Sequence, residues 1–142
     1  MRTIGEAAAR LGSATLTART LVEECLAKIE DPAGEGGQVF RIVYAEKARA
    51  MAGAIDALRR AGRAPSPYAG IPISIKDLFD VAGETTPAGS RVLEHAKPAA
   101  HSAPVVARLL AAGLIPIGRT NMTEFAYSGL GINPHFGTPL SS

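Results

Sequence analysis

Gly70-Ile71-Pro72-Ile73-Ser74-Ile75-Lys76-Asp77 is the stretch whose reading decides the fold. Its three isoleucines alternate with other residues, so an extended chain puts Ile71, Ile73 and Ile75 on one face and Pro72, Ser74 and Lys76 on the other. Upstream, Val39 to Tyr44 is a short β-branched and aromatic run leading straight into the alanine-rich stretch Ala45 to Ala61. There Ala48, Met51, Ala52, Ile55 and Leu58 recur at one-face helical spacing. Gly62 supplies the left-handed residue that ends this helix, and Pro65-Ser66-Pro67 makes a loop into the isoleucine strand. Downstream, Ser102 is placed to cap a helix bearing Val105, Val106, Leu109 and Leu110. Gly113 closes that helix, and Leu114-Ile115-Pro116-Ile117 reads as a third strand.

Strand, helix, strand, loop, helix, strand is an order that builds α/β structure, with a parallel sheet and helical crossovers as the expected topology. A sheet of three strands flanked by helices is thin, so the fold is expected to be incomplete. Residues 1–37 read as a helical lead-in to an α/β core segment over 38–142. Thr3 and Glu6 have capping-box spacing for a helix to Leu11, and Thr17 caps a second helix carrying Leu21, Val22, Cys25, Leu26 and Ile29. Asp31-Pro32 and the glycines at 34, 36 and 37 stop that helix. Met122 to Tyr127 forms a short amphipathic turn, and the Gly- and Pro-rich segment 128–142 is loop.

With 46% hydrophobic and 20% charged residues, the chain has the composition of a globular domain rather than a disordered one. Fifteen basic residues against thirteen acidic ones are dispersed along it, so no basic block is available to follow a phosphate backbone, and nucleic acid is not implied. The one cysteine, Cys25, excludes an internal disulfide and sits among helix-core residues, which fits a reducing cytoplasm. The start of the sequence does not read as a secretory signal, and no stretch is long and apolar enough to span a membrane.

Lys76 is the first candidate for chemistry, because it ends a strand, the place where α/β folds put ligands and catalytic groups. A lysine in a poorly solvated pocket loses its proton more readily and becomes a usable base. From the local pattern alone, an exposed lysine paired with Asp77 or Asp80 is the simpler reading. Gly83 to His101 lacks any sustained period and reads as a long loop, of a length that is often functional. Its hydroxyls Thr85, Thr86 and Ser90 are expected to bond nearby backbone, with no GxSxG elbow to mark a nucleophile. His95, His101 and His135 lack metal-ligand spacing, and Gly129-Leu130-Gly131 lacks the third glycine of a dinucleotide fingerprint.

Taken together, four segments are more specific than any one residue. They are Gly70 to Asp77, Gly83-Glu-Thr-Thr-Pro-Ala-Gly-Ser90, Ala111 to Met122 with Glu124-Phe125-Ala126, and Gly131-Ile-Asn-Pro-His-Phe-Gly-Thr-Pro139. In unbroken order they resemble the amidase-signature family, weakly over the first 37 residues and strongly from Gly70 to Pro139. Ser102 stands where that family usually has an aspartate.

The resemblance implies the N-terminal portion of an amidase-signature fold, with a mixed or parallel sheet. It also implies a hydrolase that cleaves a carboxamide C–N bond through a serine, a second serine held by a cis peptide bond, and a lysine base. Lys76 matches that lysine. The serine-bearing Gly-Gly-Ser-Ser segment normally follows the Gly-Thr-Pro motif, and Ser141 and Ser142 stand where the family more often has Asn-Pro; they are not read as the catalytic serines. The resemblance implies no metal or organic cofactor, a small-molecule amide as substrate, a cytoplasmic protein and, for a general amidase at full length, a homodimer.

It leaves open the amidase-type component of glutamyl-tRNA amidotransferase, which needs partner chains, and a non-catalytic binding domain built on the half-fold. The chain alone is expected to lack amidase activity, and to aggregate or fold only partly unless the remainder is supplied.

Overall fold

A computed structural model describes residues 2–140; Ser141 and Ser142 lie outside the described residues. The capping box forms as the sequence indicates. The Thr3 side chain accepts from the Glu6 amide and the Glu6 carboxylate accepts from the Thr3 amide, opening helix α1 (Ile4–Gly12). Thr17 caps α2 (Ala18–Glu30). Between them and the first strand, the expected loop contains one helical turn, α3 (Gly36–Val39). It forms because Gly36 packs directly on the backbone of Ile29, where any Cβ would collide.

Strand β1 (Phe40–Val43) is followed after a single residue by α4 (Ala45–Arg60), and Gly62 takes the predicted left-handed φ of 68° beyond its end. Strand β2 (Pro72–Lys76), α5 (Pro104–Ala111) and β3 (Ile115–Thr120) complete the regular elements, with a short 3-10 turn at Glu124–Ala126. The α5 start differs from expectation. Ala103 occupies the cap position with Pro104 just inside, and no side chain caps the helix. The Ser102 hydroxyl instead accepts from the Ala82 amide at 3.0 Å, so its acceptor is already engaged in tying down the long loop.

The sheet order is β1-β3-β2. β2 and β3 run parallel through the α5 crossover, with Lys76 opposite Thr120. β1, however, pairs antiparallel with β3, so the all-parallel expectation fails and the sheet is mixed. The connection explains it. Tyr44, the one residue between β1 and α4, donates its amide to Ile117 in the middle of β3. At the far end of α4, Arg59 already reaches Ala69 beside the start of β2. The helix therefore carries the chain onward to the opposite end of the sheet rather than back to where β1 began.

The main core lies between α2, α4 and the sheet, where Ala18, Val22, Leu26, Ala48, Ala52 and Ile55 pack with Ile115 and Ile117. The alanines let the two helices approach closely. Each large side chain fully buried there contributes on the order of 1.5–3 kcal/mol, which makes β3 the element most firmly fixed. Cys25 is half-buried against this cluster. A second cluster joins Ala7, Leu11, Leu16 and Leu21 to Ile71.

The long loop between β2 and α5 is pinched at its neck, where Gly83 donates to Ala99 (2.8 Å) and Ala99 donates to Glu84 (2.9 Å). Among the described residues, no helix is long and apolar enough to cross a membrane.

Candidate functional site at the end of the second strand

Alternation along β2 holds in part: Ile71 and Ile75 are buried, Ile73 is half-buried at a bulge, and Ser74 and Lys76 face solvent. Lys76 thus stands where expected along the chain, at the C-terminal end of β2, but its side chain is exposed rather than sheltered. The reason is positional: β2 is a sheet edge, and no described residue pairs along its outer side. Neither Asp77 nor Asp80 neutralises it, and among the described residues Lys76 makes no ion pair within 4.0 Å.

Asp77 points the opposite way, into the protein. Both Asp77 and Arg119 are fully buried, with Arg119 Nε donating to Asp77 Oδ1 at 2.8 Å. Arg41 Nε lies 3.4 Å from the other carboxylate oxygen, which also accepts from the Gly89 amide at 3.3 Å. The main chain is held as tightly: the Asp77 amide donates to Thr120 and the Asp77 carbonyl accepts from Ala88, both at 3.0 Å. A buried charge needs this degree of engagement. Its effect here is to pin the strand end carrying Lys76 against β3 and the 87–90 loop.

A second layer of bonds ties the later segments to the same place. Asn133, buried, donates to Gly89 O (2.8 Å) and Met122 O (2.7 Å), and Phe125 donates its amide to Ala88. The Ser90 hydroxyl donates to Glu124 at 2.6 Å while accepting from the Val92 amide, so it reaches well beyond local backbone. Glu124 is also 3.2 Å from His135 Nε2. Thr85 and Thr86 bond Ala96 O and Asp80, respectively. Gly89 is required, since a Cβ there would lie 2.7 Å from Met122 O at a φ of 68°. Ala88, Phe125 and Ala126 also adopt left-handed φ of 53°, 53° and 58°, a concentration of backbone strain beside Lys76.

Sequence reasoning missed Asp77, Arg119, Asn121 and Asn133 as organising residues. One signal was available: an arginine at the end of the apolar β3 run, whose residues Ile115 to Arg119 are all buried, demands an acidic partner. Arg119 reaches Glu84 as well, at 3.6 Å, and Glu84 accepts from the Tyr44 hydroxyl. Burial of Tyr44, together with its bond to Glu84, pushes that phenol well above the ordinary tyrosine range. The folded state therefore holds the Tyr44 proton more tightly than the unfolded chain does, and the associated stability is present below pH of about 10 and lost as pH rises further. Phenolate absorbance of the native chain minus that of Tyr44→Phe is expected to show this residue ionising later than free tyrosine. Coincidence with free tyrosine would contradict the buried bond.

His95 and His101 are exposed, and among the described residues no group of three or more His, Cys, Asp or Glu side chains could hold a metal ion. The site therefore offers an unengaged amine on a rigid strand end, backed by a buried ion pair and flanked by strained loops. Such an arrangement can present an amine to a reacting group brought against the β2 edge.

Comparison with known proteins gives a consistent result. The family model described as Amidase matches residues 20–141. The chain is 42% identical over 127 residues to AtzE, the 1-carboxybiuret hydrolase component of Pseudomonas sp. (strain ADP), a match covering 89% of this chain and 28% of that protein. It is 43% identical over 121 residues to the GatA-type component, named by its letter A, of the glutamyl-tRNA(Gln) amidotransferase of Anaeromyxobacter dehalogenans (strain 2CP-C), covering 85% of this chain and 24% of the relative. Among solved structures, the native peptide amidase of Stenotrophomonas maltophilia superposes with a TM-score of 0.80 at 29% identity, covering 95% of this chain and 28% of that one. A protein from a vestigial complex related to an s-triazine catabolic enzyme gives 0.87 at 39% identity, covering 96% and 30%. The chain thus spans less than a third of the length of these relatives.

Proposed function

The chain belongs to the amidase family, and from that membership we propose that it is the lysine-bearing part of a hydrolase acting on the C–N bond of a small carboxamide. Lys76 is the proton acceptor in this reading. Its neutral amine takes a proton from a relay serine, which takes the proton of a nucleophilic serine as that oxygen attacks the amide carbonyl. The C–N bond then breaks, the amine departs with a proton returned along the same relay, and water releases the acyl group. Both serines belong to sequence that this chain does not include. No metal or organic cofactor enters the scheme.

The observation that supports it best is the pairing of opposite fates at 76 and 77. Asp77 is buried and immobilised by Arg119, while the adjacent amine projects to solvent without an acidic partner among the described residues. A lysine retained only for solubility requires no such foundation. Similarity to a glutamyl-tRNA(Gln) amidotransferase component supports a second reading, in which ammonia released by the same chemistry passes to an acceptor on partner chains. For the hydrolase reading, the full-length protein is a cytoplasmic homodimer.

Without a nucleophile and oxyanion donors most of the rate enhancement is absent, so the 142-residue chain alone is expected to leave simple amides intact. Measured turnover by this chain, abolished in Lys76→Ala, would refute the division of catalytic groups proposed here.

A further inference from the structure

The two edges of the sheet differ in how they are finished. Along β1, Asn121 donates its amide to Val39 O at 2.7 Å and its side-chain amide to Gln38, Phe136 and Gly137, folding the later segment against that edge. Phe136 stacks on Arg41, with the guanidinium carbon 3.1 Å from the ring centroid, and Glu94 approaches Arg41 from the long loop. Along β2, no described residue pairs on the outer side. Near its C-terminal end, Leu78, Phe125 (53% exposed), Tyr127 (92%) and Ile132 (54%) present apolar surface to solvent. Phe125, Tyr127, Ile132 and Pro134 share a cavity of about 470 Å³. The left-handed backbone at Phe125 and Ala126 holds this ridge outward, and strain of that kind concentrates where a ligand or partner is met.

The comparisons indicate what meets it. Solved amidase-type chains match 95–96% of this chain, which accounts for only 28–30% of their own length. We propose that the outer edge of β2 and the Phe125–Tyr127–Ile132 ridge form one docking face for a polypeptide corresponding to the uncovered part of those chains. That occupant is an apolar surface led by a strand, which adds to β2 by main-chain hydrogen bonds and seats its apolar side chains on the ridge. Docking there brings its groups against Lys76. The inference rests on family membership and does not require Lys76 to be the base.

The test uses the full 142-residue chain, co-expressed with the part of Pseudomonas AtzE that follows the matched region, as a separate polypeptide. A 1:1 complex is expected, with amide hydrogen exchange slowed about tenfold or more in residues 72–76 and 125–132 and unchanged in 40–43. Tyr127→Asp and Ile132→Asp are each expected to weaken the complex about tenfold or more, and Val92→Asp, at an 81% exposed position on the long loop, to leave it unchanged. Lys76→Ala is expected to assemble normally, so failure of the proton-acceptor reading and failure of the docking face give different results. Absence of a complex, protection of β1 instead of β2, self-association of this chain through the ridge, or indifference to the ridge substitutions would each overturn the proposal.

Discussion

Replacing Arg119 with methionine is expected to cost about 3–5 kcal/mol of folding free energy, because it leaves the fully buried Asp77 carboxylate without its closest charged partner. Net stabilities of domains are about 5–15 kcal/mol, so this one change removes a large share of the total. Arg41, 3.4 Å from the same carboxylate, offsets part of the loss and sets the lower end of the range. The double variant Asp77→Leu/Arg119→Met is expected to recover most of it, since the penalty comes from an unpaired buried charge rather than from the pair's net attraction. Recovery stays incomplete by about 1 kcal/mol, because the Gly89 amide loses its acceptor. Urea unfolding followed by circular dichroism at low micromolar concentration measures both. A single variant within about 1 kcal/mol of the parent would mean that the pair does not anchor the strand end.

In a protein that joins this segment to the serine-bearing part, Lys76→Ala and Lys76→Arg are both expected to lower kcat/KM by about a thousandfold or more. The comparison between them is the informative measurement. Arginine preserves length and charge but cannot give up its proton, so it cannot serve as a base. A lysine needed only for charge or packing would be rescued by arginine, and substantial activity in Lys76→Arg would exclude proton transfer through this side chain. Assembly and unfolding midpoints should stay near those of the parent in both variants, because Lys76 is exposed.

The sequence was most legible where a local rule decided the outcome. The Thr3–Glu6 box, the Thr17 cap and the left-handed Gly62 are each set by a few neighbouring residues, and each forms as those residues dictate. The position of Lys76 at a strand end follows from alternation in the same way. Ser102 defeats the cap rule because a hydroxyl near a helix start satisfies cap and loop rules alike, and only the arrival of Ala82 from 20 residues upstream decides between them. The antiparallel placement of β1 depends on where α4 delivers the chain, which no periodicity encodes. Exposure of Lys76 is a property of the sheet edge, and strand order has no local signature. The buried Asp77–Arg119 pair joins residues 42 apart, so only the isolated charge in an apolar strand hinted at it.

The pinched neck of the long loop separates the length of that loop from the integrity of the sheet. With Gly83, Glu84 and Ala99 bonded across its base, residues 91–97 form a detour whose ends are fixed independently of how far the chain wanders between them. Closing a longer detour costs only about 0.6 kcal/mol for each doubling. This is where extra residues, an epitope or a spectroscopic label, could be spliced in while the lysine-bearing strand keeps its register.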